Sequence, residues 1–182
     1  MLEFIIFLIG SFGFFILSRQ SLTKPFSHGF PRFFAFEAIL GLIVLNAPFW
    51  FVQPFSITQI ISWALLVISA FMAVHAFYSL RKFGQTDASI EDASRLALEK
   101  TTQLVTNGPY RYIQHPLYTS LLCFTLGTFL KHIGLISILL LILASLALYL
   151  TALFEERENL HYFGEGYARY MQLTKRFIPF LF

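Results

Sequence analysis

Apolar and polar positions alternate in long blocks along this chain. Residues 2–18, 33–52, 57–80, 117–130 and 135–154 are almost wholly apolar, and short polar breaks separate most of them. About twenty apolar residues let an α-helix cross a ~30 Å hydrocarbon core. Four of the blocks come close to that length or exceed it. The block at 117–130 does so only if its helix begins near His115. The pattern predicts an all-α fold, a multi-pass transmembrane helical bundle of about five spans. Pro54 closes the second span, and Lys131-His132-Ile133-Gly134 forms a tight turn that makes a helical hairpin of the last two. Glu155 to Phe163 extend the fifth helix into water, Gly164-Glu165-Gly166 loosens it, and the aromatic tail from Tyr167 to Phe182 returns to the membrane surface as a C-terminal helix. The first span reads as a retained helix, not a signal peptide: Glu3 is its one early charge, and no small-residue cleavage site follows.

Composition sharpens this picture. The chain is 57% hydrophobic and 13% charged, against about 25% charged residues in ordinary soluble domains. Twelve of its thirteen Lys and Arg residues fall in the 19–32 connection, the 81–116 connection and the tail; Lys131 alone lies in the opposite loops. The positive-inside rule then puts the amino terminus outside and the long connection and tail in the cytoplasm, in a bacterial inner membrane or the endoplasmic reticulum. Basic residues that flank spans imply a lipid bilayer as partner and no nucleic acid. The lone cysteine, Cys123, allows neither an intrachain disulfide nor a cysteine metal site, so no metal is expected.

The long connection carries the candidate chemistry. Glu91 to Lys100 suits a short amphipathic helix with Leu96 and Leu98 on the membrane, capped by Asp87 or Ser89. Gln103 to Tyr118, QLVTNGPYRYIQHPLY, is the most turn-rich stretch. Asn107-Gly108-Pro109 is a turn signal, since Gly takes positive φ and Pro presets its own. Pro116 suits the first position of a helix. His115 then sits at that helix's mouth, where unpaired N–H groups favour an anionic group, and shares a face with Tyr118. Glu155-Glu156 ends the fifth span. The chain divides into three N-terminal helices, 1–80, and a catalytic region, 81–182. Within the spans, Glu37 reads as an interface carboxylate close enough to pair with Arg32, and His75 as a histidine hydrogen-bonded within the bundle.

LVTNGPYRYIQHPLY, then EE, then YFGEGYARY and RFIP, in that order, resemble the isoprenylcysteine carboxyl methyltransferases and their phospholipid methyltransferase relatives over Leu104 to Pro179. The resemblance implies an integral membrane enzyme that uses S-adenosyl-L-methionine, held by the cytoplasmic loop, and methylates a lipid or prenylated substrate. It implies cofactor contacts at Thr102, Gln103, Leu104, Val105, Tyr110, His115, Pro116, Leu117, Tyr118 and Glu155. Carboxyl O-methylation of an isoprenylcysteine-type group is the leading expectation. Thr151 stands where prenylcysteine enzymes carry an arginine for the substrate carboxylate, with Arg111 as a substitute, and Gln114 stands where the family pattern has arginine. Phospholipid amine N-methylation is the alternative, with Glu156 as the proton acceptor. An NADPH-dependent sterol-type reductase, using Arg111, Lys175 and Arg176, and a non-enzymatic membrane protein are further readings.

Overall fold

The computed structural model describes residues 1–85 and 101–181; the helix expected at 91–100 lies outside them. Six α-helices account for most of it: α1 (Leu2–Leu22), α2 (Gly29–Asn46), α3 (Ile57–Phe83), α4 (Pro116–Phe129), α5 (Leu135–Phe163) and α6 (Glu165–Leu173). One parallel bridge, Ile113 with Lys175, is the nearest approach to a strand among the described residues. Among the described residues, four helices are long and apolar enough to cross a membrane; α4, with 14 residues, is a shorter apolar helix. At 1.5 Å per residue it is about 21 Å long.

Two helix ends differ from the hydropathy reading. α2 ends at Asn46, well before Pro54, because Pro48 has no N–H to continue the ladder; a 3₁₀ turn at Ala47–Phe49 follows. It also begins four residues earlier than the apolar block, at Gly29, since Pro31 is tolerated in a first turn. α5 runs through Glu155 and Glu156 to Phe163. Gly164 stops it with φ +56° and ψ −134°, a conformation open essentially to glycine, and α6 starts immediately after.

Helices pack as α1 on α2, α2 on α5, α5 on α4 and α4 on α3. The seam between α2 and α5 is built from small residues: Ala35, Ala38, Ala144, Ala147 and Ala152 are all buried, with Leu42 and Leu148 between them. Small side chains let helix backbones approach closely where lipid supplies no hydrophobic drive to associate. Between α3 and α4, Ser62 Oγ donates to the Gly127 carbonyl at 2.7 Å. Large apolar side chains such as Phe4, Phe12, Val67, Phe71, Leu139 and Leu146 face outward, as a bilayer requires.

The short connections 47–56 and 131–134 share one end of the bundle. The 23–28 connection, residues 101–115 and everything after α5 share the other. At the second end the tail is tied to the turn region. Gln114 N–H donates to the Lys175 carbonyl (2.7 Å), His115 N–H to Arg176 (3.1 Å), and Lys175 N–H to Tyr112 (3.1 Å).

Glu37 does not pair as expected. Its Oε2 accepts from Ser11 Oγ of α1 at 2.6 Å, and its Oε1 is buried with no hydrogen-bond partner. His75 Nδ1 bonds the Phe71 carbonyl one turn earlier, at 2.9 Å. Cys123 is half-buried.

Candidate active site

The polar end of the bundle contains a cavity whose space between atoms measures about 710 Å³, open mouth included. Its construction starts from three local features of the sequence. The first is the 3₁₀ turn Gly108–Arg111. Gly108 sits at φ +62°, and a Cβ there would run into Ser79 Oγ of α3. The turn therefore lies hard against α3, and Tyr110 packs with Val105 onto Ala76 and Leu80, with Leu117 alongside. These residues form an apolar wall.

The second is the start of α4. His115 occupies the N-cap with Pro116 first in the helix. Its ring stacks on Tyr118 at 5.4 Å between centroids, with 18° between planes. The third is the end of α5, where Glu155 and Asn159 line the cavity together with Phe163. Glu155 Oε2 lies 3.7 Å from His115 Nδ1.

α6 closes the side opposite α3. Tyr170 Oη donates to the Tyr110 carbonyl at 2.7 Å and lies 3.2 Å from the Ile113 carbonyl. Burial raises the Tyr170 phenol above its ordinary pKa, so it stays a donor at neutral pH. The tail adds Arg176, which grips Glu156 in bidentate fashion: Nε to Oε1 at 2.6 Å and a terminal nitrogen to Oε2 at 2.9 Å. These bonds push the guanidinium further above its usual pKa. Glu156 Oε1 also lies 3.2 Å from His115 Nε2.

A profile of the phospholipid methyltransferase family matches residues 57–165, all of α3, α4 and α5. The chain belongs to the phospholipid methyltransferase family. No curated protein and no solved structure matches it. Membership implies methyl-transfer activity acting on lipid in a membrane-embedded chain.

The cavity gathers seven of the ten residues expected from sequence as cofactor contacts: Leu104, Val105, Tyr110, His115, Leu117, Tyr118 and Glu155. Three lie elsewhere. Thr102 and Gln103 are exposed, and their backbone N–H groups donate to the Gly84 carbonyl at 3.1 and 3.3 Å, which turns both side chains away; Thr101 lines the cavity instead. Pro116 is buried as the first residue of α4.

The expected substrate and proton-acceptor residues stand apart from the cavity. Thr151 is fully buried in α5 with its hydroxyl committed to the Ala147 carbonyl at 2.7 Å. Arg111 is exposed and lines a separate groove with Phe71, His75 and Tyr112. Glu156 is buried, held by Arg176 and His115, and is not part of the cavity wall. A carboxylate fixed by a bidentate arginine is a poor proton acceptor. Glu156 instead ties the tail to His115.

Several wall residues carried no role in the sequence reading. Tyr167 and Tyr170 belong to the YFGEGYARY motif, which was the one available signal for them. Gln114 donates from its amide to the carbonyls of Met171 and Thr174 (3.4 and 3.2 Å) and so fixes the α6 junction. His28, from the connection between α1 and α2, also lines the cavity; nothing in its local sequence marks it.

Proposed function

We propose that the cavity binds S-adenosyl-L-methionine and that the protein methylates the amine of a membrane lipid at its cytoplasmic face. One observation carries this reading: the His115–Tyr118 turn and Glu155, forty residues apart in sequence, meet across one cavity with an apolar wall on its third side. The wall suits that group. Leu104, Val105 and Leu117 offer an apolar face to a purine. Glu155 accepts hydrogen bonds from hydroxyl or amine donors. The rings of Tyr118 and Tyr110 favour a nearby cation. When bound, S-adenosylmethionine supplies an electrophilic methyl on a sulfonium.

Methyl transfer is an in-line displacement, so the protein's contribution is mainly alignment and exclusion of water. Arg176 and Glu156 fix the His115 ring from behind. Tyr170 and Gln114 hold the turn and tail together, which keeps the cavity walls at fixed separation. The region from 81 to 182 supplies most of the wall, in line with a catalytic region there, and α3 and the 23–28 connection complete it.

The acceptor we favour is an amine, not a prenylcysteine carboxylate. Glu155 at the wall presents a carboxylate that attracts a cation. Thr151 is sequestered, and the guanidinium of Arg111 serves another groove. The family name points to phospholipids, with the same preference.

The test is transfer of a labelled methyl group from S-adenosylmethionine by the full chain in nanodiscs. Phosphatidylethanolamine and a prenylated cysteine are offered as separate acceptors. Label in the phosphatidylethanolamine headgroup is the expected result. Label only as a base-labile ester on the prenylcysteine overturns the amine reading and leaves the cofactor reading intact.

A further inference from the structure

We infer that the groove beside the 3₁₀ turn is a second binding site, for the phosphate of an anionic phospholipid, with Arg111 as its anchor. The inference is independent of which acceptor the cavity serves. The groove runs between α3 and the turn, and its space between atoms measures about 690 Å³, open side included. Phe71, Met72 and His75 of α3 line one side, and Pro109, Arg111 and Tyr112 the other. His75 Nδ1 is bonded to the Phe71 carbonyl, and its ring lies 4.0 Å from the Phe71 ring, so α3 offers an aromatic floor. Tyr110 lines the cavity, while Arg111, the next residue, lines the groove. One turn therefore has a ligand space on each flank. Its backbone is held in place: Tyr112 N–H donates to the Pro109 carbonyl, and the Tyr112 carbonyl accepts from Lys175 N–H, both at 3.1 Å.

Depth, exposure and charge select the occupant. About twenty helical residues cross the hydrocarbon, and that length counted from Ile57 ends at Ala76. The groove thus lies where acyl chains give way to headgroups, with Arg81 and Lys82 in the last turn of α3 beyond it. Phe71 and Tyr112 are 60% and 49% exposed. Val67 and Val74, also exposed, share the Phe71 face of α3 and extend an apolar track for acyl chains. At the headgroup end stands Arg111, exposed, and no described residue that lines the groove is acidic. A guanidinium meets a phosphate through two parallel N–H bonds, which an ammonium cannot do. The ammonium of a zwitterionic headgroup finds no carboxylate here, whereas the cavity presents Glu155. The two flanks of the turn therefore favour headgroups of opposite charge.

The plainer account is that Arg111 only adds to the general attraction of a basic protein face for anionic lipid. Two variants separate the accounts. Arg111→Lys keeps the charge and loses the fork, and Arg19→Gln removes an exposed charge from the last turn of α1 at the same end of the bundle. The full chain in detergent is equilibrated with equal amounts of phosphatidylglycerol, phosphatidylcholine and phosphatidylethanolamine, and native mass spectrometry reads the retained lipid. We expect phosphatidylglycerol to be retained about tenfold over either zwitterionic lipid. R111Q should abolish the preference, R111K should reduce it severalfold, and R19Q should leave it in place. Thermal melts of all three should match wild type, since both arginines are exposed. Glycerol phosphate at millimolar concentration should not displace the lipid. A preference that falls equally in R111Q and R19Q, or survives in full in R111K, is general attraction and overturns the inference. Phosphatidylethanolamine lost from R111Q as completely as phosphatidylglycerol overturns the anionic assignment, and displacement by glycerol phosphate overturns the lipid assignment. Each of these results leaves the reading of the cavity standing, because S-adenosylhomocysteine binding is measured separately.

Discussion

The two ends of the bundle both bury polar side chains, and they do so to opposite effect. At the short-loop end, Asn46 donates from its amide to the Thr128 carbonyl at 2.8 Å and the His132 carbonyl at 3.3 Å, and accepts from Ser137 Oγ at 3.1 Å. Lys131 is 4% exposed, donates to Gln59 Oε1 at 3.0 Å and lies 3.5 Å from the centroid of the Trp63 ring. These groups join α2, α3 and the α4–α5 turn. None of them lines either of the two cavities described above. At the long-loop end, His28, His115 and Glu155 line an open space, with Glu158 and Glu156 bonded to the two histidines behind them. Burying a charge in a membrane protein is costly and often signals function. This comparison teaches a narrower rule: the signal is a polar group whose partners leave it facing a cavity. A polar group whose capacity is used up by helix ends is structural, however well buried.

The contrast breaks most sharply at Arg176. Arg176→Ala leaves Glu156 buried beside His115 with its strongest partner gone, at a cost of about 3 kcal/mol. Methyl transfer should be lost, with a lower midpoint in a thermal melt. If activity survives with only the melt changed, the grip on Glu156 is structural like that on Lys131. Asn46→Ala is the counterpart at the other end. It leaves the carbonyls of Thr128 and His132 and the hydroxyl of Ser137 without the amide, at about 2 kcal/mol. The melt should shift while kcat per folded molecule stays at the wild-type value. The smallest effect is expected from Tyr170→Phe. Removing the hydroxyl that holds the Tyr110 and Ile113 carbonyls costs about 1 kcal/mol. It should weaken S-adenosylhomocysteine binding a few-fold by loosening the 3₁₀ turn, as measured by calorimetry.

The spans could be read from sequence because lipid imposes a one-dimensional rule, an unbroken apolar run. Their ends were harder. The α2 terminus depended on which of two prolines, Pro48 or Pro54, broke the helix, and apolar neighbours masked the first. In the site, Leu104, Val105, Tyr110, His115, Tyr118 and Glu155 came together as their motifs suggested. The choice between Glu155 and Glu156 was not legible. Neighbours on a helix differ by about 100°, and only the rotation of α5 against α4 decides which one meets the cavity. Thr102 and Gln103 lie outside the cavity wall, with their backbone N–H groups bonded to the Gly84 carbonyl, and helix spacing gives no hint of that in an irregular connection. His28 was invisible. It is 130 residues from Glu158, and their meeting requires α2 to pack on α5.

The central claim is that the cavity of the long-loop end is a methyl-donor site. Calorimetric titration of the full chain in detergent with S-adenosylhomocysteine, with NADPH in parallel, tests it most directly. The account predicts saturable binding of one S-adenosylhomocysteine per chain, weakened tenfold or more by Glu155→Gln and untouched by Asn46→Ala. Binding of NADPH alone, or of neither ligand to folded protein, would contradict it.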